Sequence, residues 1–184
     1  MEHPKFTPEE KIALLSEIIE SRKSVFPRDY SDEKIDEETL REIVKLASFA
    51  PSHKRTKPLR LQVFRGDEKN ELGNKLAEIY KAITSPDLFL EKKYIDITAK
   101  VGKSDTVITI SVNYSGLVPE WEELASVAMS VQNMYLACTA REIGCYWSTP
   151  GMIRHLPEFL ALDDHQQCIG LFYMGKVVHA PAKS

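Results

Sequence analysis

The chain has 184 residues, 43% of them hydrophobic and 28% charged, with a formal net charge of −3. That composition suits one soluble globular domain over residues 1–184 with a substantial core. It offers no general basic field, so nucleic acid is not expected as a partner.

Thr7-Pro8-Glu9-Glu10 carries the signature of a helix start, with a capping hydroxyl, a first-turn proline and a capping-box glutamate. Ile12, Leu15, Ile18 and Ile19 then share one face, and the helix is predicted to run to about residues 20–22. A loop with Pro27 follows. Asp36 is placed to cap a second helix whose inner face carries Leu40, Ile43, Val44 and Ala47. Arg60–Phe64 is predicted as a strand, Gly66-Asp67 as a turn, and a third helix presents Leu72, Leu76, Ile79 and Tyr80. A further helix is expected within 86–100. The β-branched run 106–112 predicts a strand. A long helix is expected to open at Pro119 and end at Gly144. Two more strands are expected at 145–147 and 168–174, with a turn and short helix at 150–160 between them. Helices outnumber strands, so a sheet covered by helices is expected.

The helical stretch Leu124–Ala140 carries no formal charge, but it is short and interrupted by Ser126, Ser130, Gln132, Asn133 and Thr139. It reads as a buried helix, and no membrane association is expected. Met1-Glu2-His3-Pro4-Lys5 lacks the basic-then-apolar order of a signal peptide. Cys138, Cys145 and Cys168 form no C-x-x-C pair, which fits a reducing cytoplasm, and all three read as inert packing.

Several chemistries find no support. There is no G-x-G-x-x-G, no phosphate-binding Walker loop and no G-x-S-x-G elbow. The histidines lack ligand spacing, so no metal is expected. Glu120, Glu122 and Glu123 beside Trp121 read as a charge cluster favourable to a helix N-terminus. With no evident protein nucleophile or metal, an organic cofactor is the economical source of chemistry if the chain is an enzyme.

The densest functional signal is Ala50-Pro51-Ser52-His53-Lys54-Arg55-Thr56-Lys57-Pro58. It sets four cations or hydrogen-bond donors between two prolines, which suits an anionic or acceptor-rich ligand or a solvated basic loop.

Three ordered segments carry a likeness. They are Arg22-Lys23-Ser24, then Ala50-Pro51-Ser52-His53-Lys54 with Pro58, then Pro119-Glu120-Trp121-Glu122-Glu123 opening a helix that leads to Ile143–Ser148. Together, over about residues 10–176, they resemble the FMN-dependent nitroreductase family, in particular its small single-domain bacterial members. The resemblance implies an α+β fold, a three-layer α-β-α sandwich with a mixed, mainly antiparallel sheet. It implies a homodimer with FMN at the interface, NAD(P)H as electron donor, and a nitro, quinone or similar conjugated acceptor. A flavin-binding carrier or sensor without robust turnover is the alternative.

Carried over residue by residue, the resemblance makes Arg22, Lys23 and Ser24 contacts of the FMN phosphate and ribityl chain. His53 becomes a flavin contact in the partner subunit's site, and Trp147, Ser148 and Thr149 lie along the flavin ring. Lys23 stands for an arginine and lacks its planar fork. Arg55 and Lys57-Pro58-Leu59 replace the Asn and Gln-Pro-Trp common in the family, which reshapes the pocket mouth. Near the C-terminus only Lys176 or Lys183 is available as a further phosphate contact.

Overall fold

The computed structural model describes residues 6–178. The N-terminal five residues and Lys183 lie outside them, so the signal-peptide expectation and one of the two C-terminal lysines are not addressed. The elements run α1 (Pro8–Ser21), α2 (Glu37–Ala47), β1 (Leu59–Phe64), α3 (Gly66–Ile83), α4 (Glu91–Lys103), β2 (Thr106–Asn113), α5 (Glu120–Thr139), β3 (Ile143–Ser148) and β4 (Gln166–Lys176). Short 3-10 turns occupy Pro27–Asp29, His53–Arg55 and Gly151–His155.

Local chemistry sets the helix starts. The Thr7 hydroxyl accepts the Glu10 N–H while the Glu10 carboxylate accepts the Thr7 N–H, which completes the capping box of α1. Asp36 accepts the Thr39 N–H at 2.8 Å and starts α2. Gly66-Asp67, expected as a turn, already belongs to α3.

The four strands order β1-β2-β4-β3, and every pair is antiparallel. No parallel pair lies among the described residues. The central strand β2 is buried on both faces and divides two cores. Val107 faces Leu72, Leu76, Tyr80 and Val101 of α3 and α4. Ile108, Ile110 and Val112 face Leu40 and Ile43 of α2 and Val127, Val131 and Met134 of α5. Helices on both faces of one sheet make the three-layer α-β-α arrangement.

One expectation needs correction. The long helix stops at Thr139, short of Gly144. Glu142, at φ +55°, takes the left-handed turn expected of the glycine, and Gly144 lies inside β3. The reason for the glycine is packing: a Cβ there would come 2.7 Å from Cε1 of Tyr30. The apolar stripe of α1 forms as expected, yet no residue of α1 is buried within the chain.

Candidate active site

Arg22 caps the C-terminus of α1, and the Val25 N–H donates to the Cys145 carbonyl at 3.0 Å. Segment 22–25 therefore runs against β3. The Arg22 guanidinium stands 5.4 Å above the ring of Tyr135 on α5. The Tyr135 hydroxyl accepts the Trp147 backbone N–H at 2.7 Å, and its ring meets Phe172 edge-on at 5.1 Å. Tyr135 thus joins Arg22 of the first sequence segment to Trp147 near the end of the third. It was not singled out in the sequence, although a tyrosine within an apolar helix is a signal, because a half-buried hydroxyl must find a partner.

The Trp147 indole is partly buried and packs on Gly170, where a Cβ would sit 1.8 Å from Nε1. That Nε1 is buried and has no hydrogen-bond partner among the described residues. Ser148 closes β3 opposite Leu171, and Thr149 is exposed as the chain leaves the sheet. Lys23 and Ser24 are exposed. Lys23 lines a cavity of about 650 Å³ between α1 and the C-terminal end of α5, with Glu17, Ile18, Thr139, Glu142 and Val177.

His53 lies elsewhere. Its Nδ1 is 2.6 Å from Oε2 of Glu122, in the first turn of α5. The Lys54 ammonium donates to the Leu117 carbonyl at 3.1 Å, and the Ser126 hydroxyl donates to the Pro51 carbonyl at 2.8 Å. Buried Glu123 accepts the Ser115 N–H at 3.0 Å. Burial acts to raise its carboxyl, but hydrogen bonding from Ser115 outweighs that and holds it below the ordinary glutamate value. Glu122 is therefore an anchor for the basic loop as well as a favourable charge at a helix start, a role the sequence did not reveal, while Glu123 holds the Ser115 N–H. The anchors matter because Lys54, Arg55 and Lys57 have φ of 50°, 56° and 48°, a left-handed conformation costly for residues with a Cβ.

Glu122 and Tyr135 are roughly 20 Å apart along the axis of α5 at 1.5 Å per residue. Within one chain, Arg22 and Trp147 thus meet at Tyr135 and Lys23 lies by Thr139, toward the C-terminal end of α5, and His53 sits at the other end. The Lys176 ammonium lies 3.5 Å from the Glu33 carboxylate, committed to an exposed ion pair.

Other titratable groups are packed away. Cys138, Cys145 and Cys168 are all buried. The Cys138 thiol is pushed well up, first by its hydrogen bond with Cys145 and then by burial, and burial raises Cys168. No cluster of three or more His, Cys, Asp or Glu placed to hold a metal occurs among the described residues. No helix among them is long and apolar enough to cross a membrane.

The model of the nitroreductase family matches residues 19–176, a span that takes in both basic segments and all four strands. The chain belongs to the nitroreductase family. Solved structures share its fold. A nitroreductase-like protein from Bacillus cereus superposes with a TM-score of 0.76 at 20% identity, over 99% of this chain and 92% of that one. A protein from Desulfovibrio desulfuricans solved with FMN gives 0.67 at 24% identity, over 98% and 92%. The FMN-dependent nitroreductase NfnB from Mycobacterium smegmatis, in complex with NADPH, gives 0.73 at 15% identity, over 91% and 89%. No curated protein matches the chain in sequence.

Membership of the nitroreductase family supports a flavin-dependent oxidoreductase in general terms. The local donor set is compatible with a phosphate-bearing cofactor. The side chains of Arg22, Lys23 and Ser24 provide two cations and a hydroxyl, and none has an ion pair or hydrogen bond among the described residues. Two cations without a counter-ion beside a free hydroxyl suit a phosphate.

Proposed function

We propose that this nitroreductase-family chain, one domain over 1–184, is an FMN-dependent NAD(P)H oxidoreductase acting on a nitro, quinone or similar conjugated small-molecule acceptor. It works as a cytoplasmic homodimer with FMN at the interface. The observation that carries the proposal is Tyr135, which holds the Arg22 guanidinium over its ring and the Trp147 backbone on its hydroxyl. Two segments more than a hundred residues apart thereby face one region beside β3.

FMN, when bound, supplies the hydride acceptor and donor that the side chains lack. Arg22, Lys23 and Ser24 would hold its phosphate and ribityl chain, and Trp147, Ser148 and Thr149 would lie along its ring. His53, at the far end of α5, would serve the site of a second copy. An uncovered apolar surface supports that second copy: Ile12 is 59% exposed and Ile19 48% on α1, and Trp121 68% on α5.

The visible spectrum of protein loaded with FMN and stripped of excess is the test. Flavin bands that bleach anaerobically with NADH or NADPH are expected. Retained flavin that neither nucleotide bleaches would replace the oxidoreductase with the carrier or sensor. Loss of all flavin would remove the cofactor assignment. Light scattering is expected to give twice the chain mass, and a monomer would exclude the shared site.

A further inference from the structure

The basic loop keeps cations that neither the fold nor the proposed flavin contacts use. His53 and Lys54 are engaged by Glu122 and Leu117. The side chains of Arg55 and Lys57 have no partner among the described residues. Lys57 lines a cavity of about 320 Å³ beside α2 and α5, together with Arg60, Ser48, Ser52, Ser126 and Ser130, and no carboxylate lines it. In a chain of net charge −3, an acid-free lining with two cations stands apart from the general surface.

The geometry of the lining is fixed. Lys57, at φ +48°, is held by its own N–H on the Ser52 hydroxyl at 3.3 Å. Arg60 folds back so that Nη1 donates to the Lys57 and Leu59 carbonyls, both at 2.9 Å. That leaves the rest of the guanidinium fork without a partner, already oriented, which lowers the ordering cost of binding. Ser52 accepts from Lys57, so its own proton remains available. The other serines differ. Ser48 donates to the Lys45 carbonyl, Ser126 to Pro51 and Ser130 to Ser126. Their protons are committed and their lone pairs remain. Ser126 and Ser130 are buried on α5.

We infer that this cavity is an anion subsite for a small molecule carrying a phosphate or carboxylate next to a hydroxyl. The anion pairs with Lys57, the fork of Arg60 and the Ser52 hydroxyl. The neighbouring hydroxyl donates to the free lone pairs of Ser126 or Ser130. The volume suits a nucleoside phosphate or a substituted aromatic acid and lies at the small end of ligand pockets. The inference rests on the proposed function only for the ligand's source, either the ribose phosphate of the nicotinamide donor or an acidic acceptor. The subsite itself rests on Lys57, Arg60 and the serines.

Calorimetric titration of the purified protein, with and without FMN, tests it with matched probes. Adenosine 2′-monophosphate against adenosine stands for the donor, and 4-nitrosalicylate against 3-nitrophenol for the acceptor. At least one anion is expected to bind more tightly than its neutral counterpart. Lys57→Glu and, independently, Arg60→Gln are expected to weaken that anion by about tenfold, the scale of one lost charge-assisted hydrogen bond. Lys57→Arg is expected to restore it, with the neutral probes unchanged throughout. The anion that responds identifies the source. Equal binding of charged and neutral probes overturns the subsite, as does anion binding indifferent to both variants. Anion binding lost in Arg22→Ala but kept in Lys57→Glu also overturns it, because the anion is then on the cofactor-phosphate set. Variants are compared only where circular dichroism shows the native fold. Should Lys57→Glu not fold, Lys57→Gln takes its place with the same expected loss. Protein that retains no flavin but binds the anion through Lys57 sinks the flavin assignment alone.

Discussion

The two basic segments of the chain are held in opposite ways. At 22–24, one guanidinium rests on an aromatic ring and the cations have no counter-ion within the described residues. At 53–57, His53 and Lys54 are tied to Glu122 and a carbonyl. A count of basic residues would rank the second segment higher. The structure ranks by what remains unpaired, which at the second segment is the side chains of Arg55 and Lys57, beside the part of the Arg60 guanidinium that the Lys57 and Leu59 carbonyls do not use. The chain uses half of the loop's donors to hold a left-handed backbone, and only the remainder is left for a ligand.

The contrast can be broken or sharpened by substitution. Gly170→Ala has the largest expected effect, because its Cβ would enter the Trp147 ring inside the sheet. A loss of about 3 kcal/mol in a denaturant titration is expected, with little change at the His53 loop by NMR. Arg22→Ala should weaken FMN by about 2 kcal/mol in a fluorescence-quench titration, and unchanged affinity would take Arg22 out of the site.

Glu123→Gln should cost about 1–2 kcal/mol by weakening the hold on the Ser115 N–H. Its pH dependence gives the sharper check. Because the folded carboxyl titrates below its ordinary value of 4.5, the unfolded state binds more protons in that window. The stabilisation is full above 4.5 and lost as pH falls through the lower folded value. The denaturation midpoints of the wild type and the Glu123→Gln variant should therefore converge in acid, and a constant gap would assign the loss to packing.

Tyr135→Phe keeps the ring under Arg22 but strands the Trp147 N–H. It should cost about 1 kcal/mol in stability and shift the bound-flavin absorption, while Arg22→Ala alters affinity more than the band position. His53→Ala is the smallest, within about 0.5 kcal/mol in stability, because the pair with Glu122 is solvent-facing. A larger loss would make the pair a structural clamp.

Much of the scaffold was legible locally. The capping box of Thr7 and Glu10, the Asp36 cap, the four strands and the inner face of α3 depend on neighbours three or four residues away or on alternation. The end of α5 was misread because a glycine suggests backbone freedom, whereas Gly144 answers to the ring of Tyr30 across the fold. The stripe of α1 was legible as apolar, but what covers it is not among the described residues.

The site divides along the same line. The sequence by itself determined the candidate segments 22–24, 53–58 and 147–149, because their residue types and order are properties of the linear chain. Only the tertiary structure decided their partners. It put Tyr135 between Arg22 and Trp147, set Glu122 under the basic loop, and brought Lys57 and Arg60 to the serines of α5. Those pairings span tens of residues and depend on helix phase and strand register, which hydrogen bonding and packing across the whole fold determine together.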